Sequence, residues 1–273
     1  REALHEKRKW RNFYNRIWKI MGKIISVSNQ KGGVGKTTTS LSLAASLGVL
    51  EKKVLLVDAD PQGNASSGIG ISKDDYEKSS YDVLLNQCKI EESIIQTKSP
   101  NLDIIPANID LVAVEIELVD ANKREYMLSN MLDKIKEIYD FIIIDCPPSL
   151  GLITINALTS SDSVIIPIQC EYYALEGLGK LLNTIKGVQK VHNEKLEIEG
   201  ILLTMFDSRL RLSNQVKNDV KKHFGNMVFS TIIPRNVSLG EAPSYGESII
   251  VYNSTSKGSK SYIKFAQEVI NLN

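Results

Sequence analysis

The sequence predicts a doubly wound α/β fold built on a mostly parallel sheet. Three observations lead to this prediction: short apolar runs rich in β-branched residues recur along the chain, amphipathic stretches separate them, and 42% of the 273 residues are hydrophobic. Near-continuous apolar strands are typical of parallel sheets that helices cover on both faces. The predicted strands are residues 24–27, 54–57, 102–105, 141–144, 164–168, 201–203 and 228–233.

The composition excludes several classes of protein. The chain has 33 Lys and Arg residues against 32 Asp and Glu residues, so its net charge is +1. This near-neutral charge excludes a strongly charged disordered protein and a uniformly basic nucleic-acid coat protein. Because no apolar run reaches the ~18 residues of a membrane span and no signal-peptide pattern is found, we expect a soluble, cytoplasmic protein. Cys88, Cys146 and Cys170 are too scattered for a disulfide framework or a C-x-x-C metal site, so we expect reduced core thiols.

The charges are unevenly distributed. Residues 1–20 carry 7 basic and 2 acidic side chains, residues 21–179 carry 13 and 22, and residues 180–273 carry 13 and 8. The basic excess of the last third predicts a surface that faces a polyanion. Solvated helix faces are the alternative interpretation of the same excess.

Residues 1–20 differ from the rest of the chain, since both tryptophans lie there and aromatic residues fall at helical spacing among Arg and Lys. We therefore predict a basic, aromatic extension outside the fold, followed by one domain over residues 21–273. The apolar residues of the extension are Trp10, Phe13, Tyr14, Ile17 and Trp18.

A glycine-rich stretch lies between the predicted strand 24–27 and a small-residue helix predicted over residues 39–47. Backbone N–H groups of such a loop, leading into a helix N-terminus, form a nest for phosphate, with Lys36 positioned to reach the β- and γ-phosphates and Thr37 to offer a hydroxyl to Mg²⁺. The general phosphate-loop pattern has glycine where this chain has Gln30, and a second lysine follows at once. The stretch reads Lys31, Gly32, Gly33, Val34, Gly35, Lys36, Thr37 and Thr38.

Carboxylates follow two of the predicted strands. Asp58 and Asp60 come after residues 54–57, and Asp145 comes after residues 141–144. The carboxyl ends of strands form the ligand-binding edge of open α/β sheets, and an aspartate there beside a phosphate loop can hold Mg²⁺ through water. A lone strand-end aspartate is often a cap or turn residue, but the phosphate loop favours the functional interpretation.

These motifs together resemble the ParA/Soj chromosome-partitioning ATPases. They belong to the deviant Walker A class of phosphate-loop proteins, which also contains the MinD-like division-site ATPases. The resemblance covers residues 21–272. The segments that carry it are residues 31–38, 58–64 (DADPQGN), 145–149 (DCPPS), 171–177 (EYYALEG), 234–236 (PRN) and 240–243 (GEAP).

The resemblance implies a nucleoid-associated ATPase of chromosome or plasmid partitioning. It implies a homodimer that forms on ATP binding, binds double-stranded DNA nonspecifically, and hydrolyses ATP with Mg²⁺ when a ParB-like partner stimulates it.

The same resemblance implies roles for individual residues. Lys31 would reach across the dimer to the partner's nucleotide, Gly32 would let two backbones approach, and Asp60 would orient the attacking water. With Lys36, the catalytic set is thus Lys31, Lys36 and Asp60. Asp58 and Asp145 would support Thr37 and Mg²⁺ through water, while Pro234 and Asn236, with Arg235 between them, would form the adenine-side wall.

Candidate DNA contacts lie in the basic last third. Arg209 follows the strand 201–203 and opens a basic segment, which a solvated amphipathic helix would also explain. Members of the family that it resembles often carry a basic residue where this chain has Ser238, so we expect weaker DNA binding there or compensation by Arg211. The candidates are Arg209, Arg211, Lys217, Lys221, Lys222 and Arg235.

Two other ATPase functions require features that the sequence does not show. A MinD-like membrane-cycling ATPase would need a basic amphipathic C-terminal helix. Residues 257–273 carry Lys257, Lys260 and Lys264, but their last residues have neither a basic face nor a bulky aromatic side chain. We therefore expect no stable membrane association. A cluster-carrying ATPase of the nitrogenase iron protein type would need paired cysteines, which the sequence lacks.

Overall fold

A computed structural model describes residues 22–171 and 174–273, without the side chains of residues 174–176. The predicted extension, residues 1–20, lies outside the described residues.

The described residues form eight strands. They are β1 Lys23–Val27, β2 Val54–Asp58, β3 Ile95–Gln96, β4 Leu102–Ile105, β5 Phe141–Asp145, β6 Ser163–Gln169, β7 Glu197–Phe206 and β8 Val228–Pro234. In the sheet they stand in the order β3-β4-β2-β5-β1-β6-β7-β8, and every neighbouring pair is parallel except β3 with β4. The predicted fold class, a doubly wound and mostly parallel α/β sheet, is confirmed.

Eleven α-helices connect and cover the strands in the described part of the chain. They are α1 Lys36–Val49, α2 Asn64–Gly68, α3 Ser80–Leu84, α4 Val114–Glu117, α5 Met127–Leu132, α6 Leu152–Ser160, α7 Ala174–Val191, α8 Arg211–Phe224, α9 Val237–Glu241, α10 Ile249–Tyr252 and α11 Lys257–Leu272. None of the helices described is both long enough and apolar enough to cross a membrane.

The core lies on both faces of the sheet, because successive strand residues point to opposite sides. Ile25 faces a layer formed by α1 and α11, where Leu43 and Phe265 are fully buried. Its neighbour Ile24 faces the other layer, which α5 and α6 cover with residues such as Met131. The three central strands β1, β2 and β5 are therefore apolar along nearly their whole length, which is the pattern that the sequence displays.

Candidate nucleotide-binding site

The phosphate loop joins the end of β1 to the start of α1. Gly33 and Gly35 have φ angles of 74° and 87°, in the left-handed region that glycine adopts without steric cost. Gly35 is the N-cap residue of α1, and no side chain caps this helix end. The free N–H groups at the N-terminus of a 14-residue helix are suited to bind an anion.

Two polar side chains hold this loop to the neighbouring strands. Asn29 is buried; its Oδ1 accepts a hydrogen bond from the Lys31 N–H at 3.0 Å, and its Nδ2 donates to the Pro167 carbonyl at 2.7 Å. Thr204 Oγ1 donates to the Val34 carbonyl at 2.8 Å. Sequence reasoning missed both residues, although Asn29 is a polar residue close behind a buried strand, a position where a side chain often braces a loop.

Lys36 lies inside the loop. It is 7% exposed, and its Nζ donates to the Lys31 carbonyl at 3.3 Å. Burial lowers the pKa of the ammonium group, and the nearby Asp145, Cys146 and Asp60 oppose that shift. The cation and the strand-end carboxylates therefore share one site.

Lys31 has a different environment from Lys36. Its Nζ lies 3.7 Å from Glu171 Oε2, and both side chains are partly exposed. Glu171 also accepts a hydrogen bond from Gln169 Nε2 at the end of β6. The second lysine of the motif thus lies on the rim of the site, in an ion pair that the sequence did not predict.

Asp145 is fully buried at the end of β5, in register with Asp58 on β2. Ser40 Oγ donates to its Oδ1 at 2.8 Å, whereas Oδ2 has no hydrogen-bond partner among the described residues. Burial and the Asp58 carboxylate raise the pKa of Asp145 to about 7, and the nearby Thr37 and Ser40 hydroxyls oppose that shift. A buried carboxylate oxygen without a partner, beside the Thr37 hydroxyl, fits a hydrated Mg²⁺ ion.

Asp58 uses both of its oxygens within the chain. Oδ1 accepts the Asp60 N–H at 3.1 Å, and Oδ2 accepts the N–H and the hydroxyl of Ser66 at 2.8 and 2.7 Å. Burial raises the pKa of Asp58 to about 6, although these hydrogen bonds oppose the shift. Asp58 therefore fixes the loop that carries Asp60, and its predicted support of Mg²⁺ stays a prediction.

Asp60 is positioned by this loop. It is 7% exposed, and its Oδ1 accepts the Gln62 N–H at 3.0 Å. Its charge acts on both Lys36 and Asp145. The structure thus brings together Lys36, Asp58, Asp60 and Asp145 at one edge of the sheet, as the sequence predicted.

Pro234 and Asn236 lie farther along the same edge, at the end of β8. Asn236 Oδ1 is buried and has no hydrogen-bond partner in the described part of the chain. It faces Gly258 on α11, where an added Cβ would lie 2.9 Å from it. An acceptor left unpaired in this way fits an amino group of a ligand. Within the described residues, no hydrogen bond joins this loop to the phosphate loop.

The candidate DNA contacts gather on and beside α8. Arg211, Lys221 and Lys222 are exposed on this helix, and its other face buries Val216 and Val220 in the core. Lys217 Nζ lies 5.2 Å from the centroid of the Phe206 ring. Arg235 is also exposed, and its N–H donates to the Phe206 carbonyl at 3.0 Å.

Arg209 already has a partner within the chain. Its Nε and a terminal guanidinium nitrogen donate to the two carboxylate oxygens of Asp207 at 2.9 and 2.7 Å. These bonds lower the pKa of Asp207 to about 2. Sequence reasoning missed this carboxylate, which competes with any phosphate for the arginine, although it stands only two residues away.

Known proteins resemble this chain over most of its length. A family model described as an AAA domain matches residues 22–198. The sporulation initiation inhibitor protein Soj of Bacillus subtilis (strain 168) is 58% identical over 91% of this chain and 98% of its own. The chromosome partitioning protein ParA of Myxococcus xanthus (strain DK1622) is 52% identical over 93% of this chain and 90% of its own.

A solved structure shares the fold as well. The crystal structure of cobyrinic acid a,c-diamide synthase from Mycobacterium smegmatis, with bound ADP and magnesium, matches with a TM-score of 0.81 and 38% identity, over 92% of this chain and 95% of that one. Identity to Soj and to the partitioning protein is well above that figure and extends over more than 90% of this chain. The chain therefore belongs to the ParA/Soj family of chromosome-partitioning ATPases.

Proposed function

We propose that this ATPase dimerises on ATP, binds double-stranded DNA nonspecifically, and partitions a chromosome or plasmid on the nucleoid in the cytoplasm, with a ParB-like partner that stimulates hydrolysis. The contrast between its two loop lysines carries the proposal. Lys36 is buried among carboxylates, whereas Lys31 on the same loop is 35% exposed at the rim. One lysine suits the chain's own nucleotide and the other suits a nucleotide held by a second chain.

The residues of the loop fit an ATP triphosphate. Its N–H groups and the N-terminus of α1 would bind the phosphate oxygens, and Lys36 would neutralise the β- and γ-phosphates. Thr37 and Asp145 would hold Mg²⁺, which when bound neutralises charge that develops on the transferred phosphoryl group. Asn236 Oδ1 would accept a hydrogen bond from the adenine amino group.

Hydrolysis in this proposal depends on Asp60 and Lys31. Asp60 would orient the attacking water, since the Asp58 and Gln62 contacts fix its loop. Lys31 would stabilise charge on the partner's phosphates in the transition state, as an arginine finger does. An added Cβ at Gly32 would meet no described atom within 4 Å, so packing within the chain does not require glycine there. The close approach of a second backbone would require it.

DNA binding would come from the exposed cations on and beside α8. Such side chains contact phosphates, which carry no sequence information, so the binding would be nonspecific and sensitive to salt. A dimer presents the surface twice, and the two affinities reinforce each other.

The membrane-cycling alternative has less support. It requires a C-terminal amphipathic helix whose apolar face is free to enter a bilayer. In α11 that face is occupied, because Tyr262, Phe265 and Val269 are buried in the core against α1 and β8. This packing favours the partitioning function.

ATP turnover of the full chain tests the proposal. It is measured alone, with duplex DNA, with a peptide from a candidate ParB protein, and with both. We expect slow basal turnover that DNA and peptide together raise, and none in the Lys36→Ala control. Turnover that neither addition changes would contradict the proposed function.

A further inference from the structure

The helical segment formed by residues 109–120 is apolar on two opposite sides. It consists of a 3₁₀ turn, Ile109–Ala113, followed by α4 and then by a turn over residues 118–120. One side buries Leu111, Val114 and Leu118 in the core beneath the sheet. The other side is exposed to solvent, so core packing does not account for its composition.

Four large apolar side chains lie on the exposed side. They recur at intervals of three and four residues, which places them in one row along the segment, about 15 Å long. Single exposed apolar residues are common, but a contiguous row of them is typical of an interaction surface. We name this row the apolar stripe; its members and their exposed fractions are Ile109 58%, Val112 55%, Ile116 74% and Val119 59%.

The borders of the apolar stripe are acidic, and one cation lies at its end, where the Arg124 guanidinium donates to the Val119 carbonyl at 3.5 Å. Between residues 109 and 120 the sequence has no Lys or Arg. It has four acidic residues there, all exposed: Asp110, Glu115, Glu117 and Asp120. A partner surface with an apolar ridge and flanking cations would complement it.

We propose that the apolar stripe is a docking surface for a Lys- and Arg-rich amphipathic helix of a partner protein. An amphipathic helix supplies apolar side chains at the same three- and four-residue spacing and cations along their borders. A second copy of this chain suits the surface less well, since a symmetric contact would place the acidic borders of two copies against each other.

The segment that carries the apolar stripe is connected to both carboxylate loops of the nucleotide site, through Glu115 and through Ala107, which lies just before the segment. Glu115 Oε1 accepts the N–H of Leu152, the first residue of α6, which follows the Asp145 loop. At the other end, the N–H of Ala107 donates to Ser66 Oγ at 3.0 Å, and that hydroxyl donates to Asp58. A helix bound at the stripe would therefore act on the loops that position Asp145 and Asp60. The claim that the bound partner stimulates turnover rests on the proposed function. The docking surface itself does not depend on that function.

Fluorescence anisotropy with a designed peptide tests the docking surface. The probe is a labelled 18-residue helix with Leu at positions i, i+3, i+4 and i+7 and Lys or Arg along both borders; its control is the same composition in scrambled order. The full chain is compared with Ile116→Lys and with Val191→Lys, a matched change on α7 at a valine that is 66% exposed. Because both sites are exposed, both variants are expected to fold, which circular dichroism checks.

We expect the full chain to bind the amphipathic peptide roughly tenfold more tightly than the scrambled one. Ile116→Lys should weaken that binding by a similar factor, and Val191→Lys should leave it unchanged. Equal binding of both peptides, or binding that Ile116→Lys does not weaken, would overturn the proposal. A different result for Ile116→Lys would also overturn the proposal. If this variant still binds the peptide but no longer self-associates with ATP in sedimentation, the stripe contacts a second copy of the chain.

Turnover measured with the same peptide separates the two claims. Stimulation in the full chain and not in Ile116→Lys would support the connection to hydrolysis. If Ile116→Lys removes peptide binding but the peptide changes turnover in neither protein, the docking surface is supported. Only its connection to hydrolysis is then contradicted.

Discussion

Glu171 holds Lys31 at the rim of its own nucleotide site, with 3.7 Å between the carboxylate oxygen and the ammonium nitrogen. Both groups are partly exposed, so the pair is a weak contact that a better anion can replace. In the proposed dimer, the phosphates of the partner's nucleotide are that anion. The ion pair thus marks the position from which Lys31 would move on dimerisation.

The first prediction separates the two lysines. Lys36→Ala should abolish tight ATP binding, because it removes the buried cation of the phosphate loop. Lys31→Ala should retain ATP binding but lose ATP-dependent dimers and most of the turnover. Equilibrium binding of a fluorescent ATP analogue and sedimentation measure the two effects, and normal ATP-dependent dimers of Lys31→Ala would refute the assignment.

The second prediction concerns Asp60. Asp60→Ala should lower stimulated turnover by about a hundredfold or more while ATP binding and the ATP dimer persist, since the lost interaction belongs to the transition state. Single-turnover hydrolysis of radiolabelled ATP measures it. Retained stimulated turnover would assign the water-orienting role to another group.

The third prediction concerns the pair formed by Asp207 and Arg209. Since the pKa of Asp207 is about 2, its carboxylate stays charged at neutral pH and holds the arginine. Asp207→Asn should free Arg209 for phosphate, raise DNA affinity several-fold and steepen the salt dependence by about one unit per chain.

Asp219→Asn on α8 is the matched control, because it removes one acidic charge near the same cations without releasing Arg209. Duplex titrations at several salt concentrations compare the two variants. An equal effect of both would mean that overall charge, and not the release of Arg209, determines affinity.

The fourth prediction concerns stability. The hydroxyls of Tyr262 on α11 and Thr39 on α1 are 3.0 Å apart and buried. Tyr262→Phe should lower the free energy of unfolding by about 1–2 kcal/mol, because Thr39 is left without its partner. The double variant Tyr262→Phe, Thr39→Val should lower the free energy of unfolding by less than the sum of the two single changes. Urea denaturation without nucleotide measures this, and strictly additive losses would show that the two hydroxyls do not interact.

Most of the sheet was predictable because its strands are buried on both faces. Residues 54–58 are buried without exception, so the apolar run of β2 indicates its strand directly. The prediction for β7 was too short, since its first residues include Glu197 and Glu199, and Glu199 is charge-paired with Lys23. The strand β3 was missed because two residues on an antiparallel edge show no periodic pattern.

The candidate site was predictable where a motif has a local mechanism. The phosphate loop and the strand-end aspartates follow from spacing alone, because loop and strand geometry place them. The partners of those residues did not follow. These contacts depend on how distant segments pack, and patterns in a single sequence contain no signal for them. They are the contacts of Ser66 with Asp58, Glu171 with Lys31 and Thr204 with Val34.

Titration of labelled duplexes with the full chain tests the central claim most directly. It is done with ATP and Mg²⁺, with ADP and Mg²⁺, and without nucleotide, at several salt concentrations and on unrelated sequences. We expect tight binding only with ATP, equal for all duplexes and falling steeply with salt. In the Asp207→Asn background, where Arg209 is free, Arg209→Ala should reduce the salt slope by about one to two units per dimer. Binding that is the same in all three nucleotide conditions, or that salt leaves unchanged, would contradict the central claim.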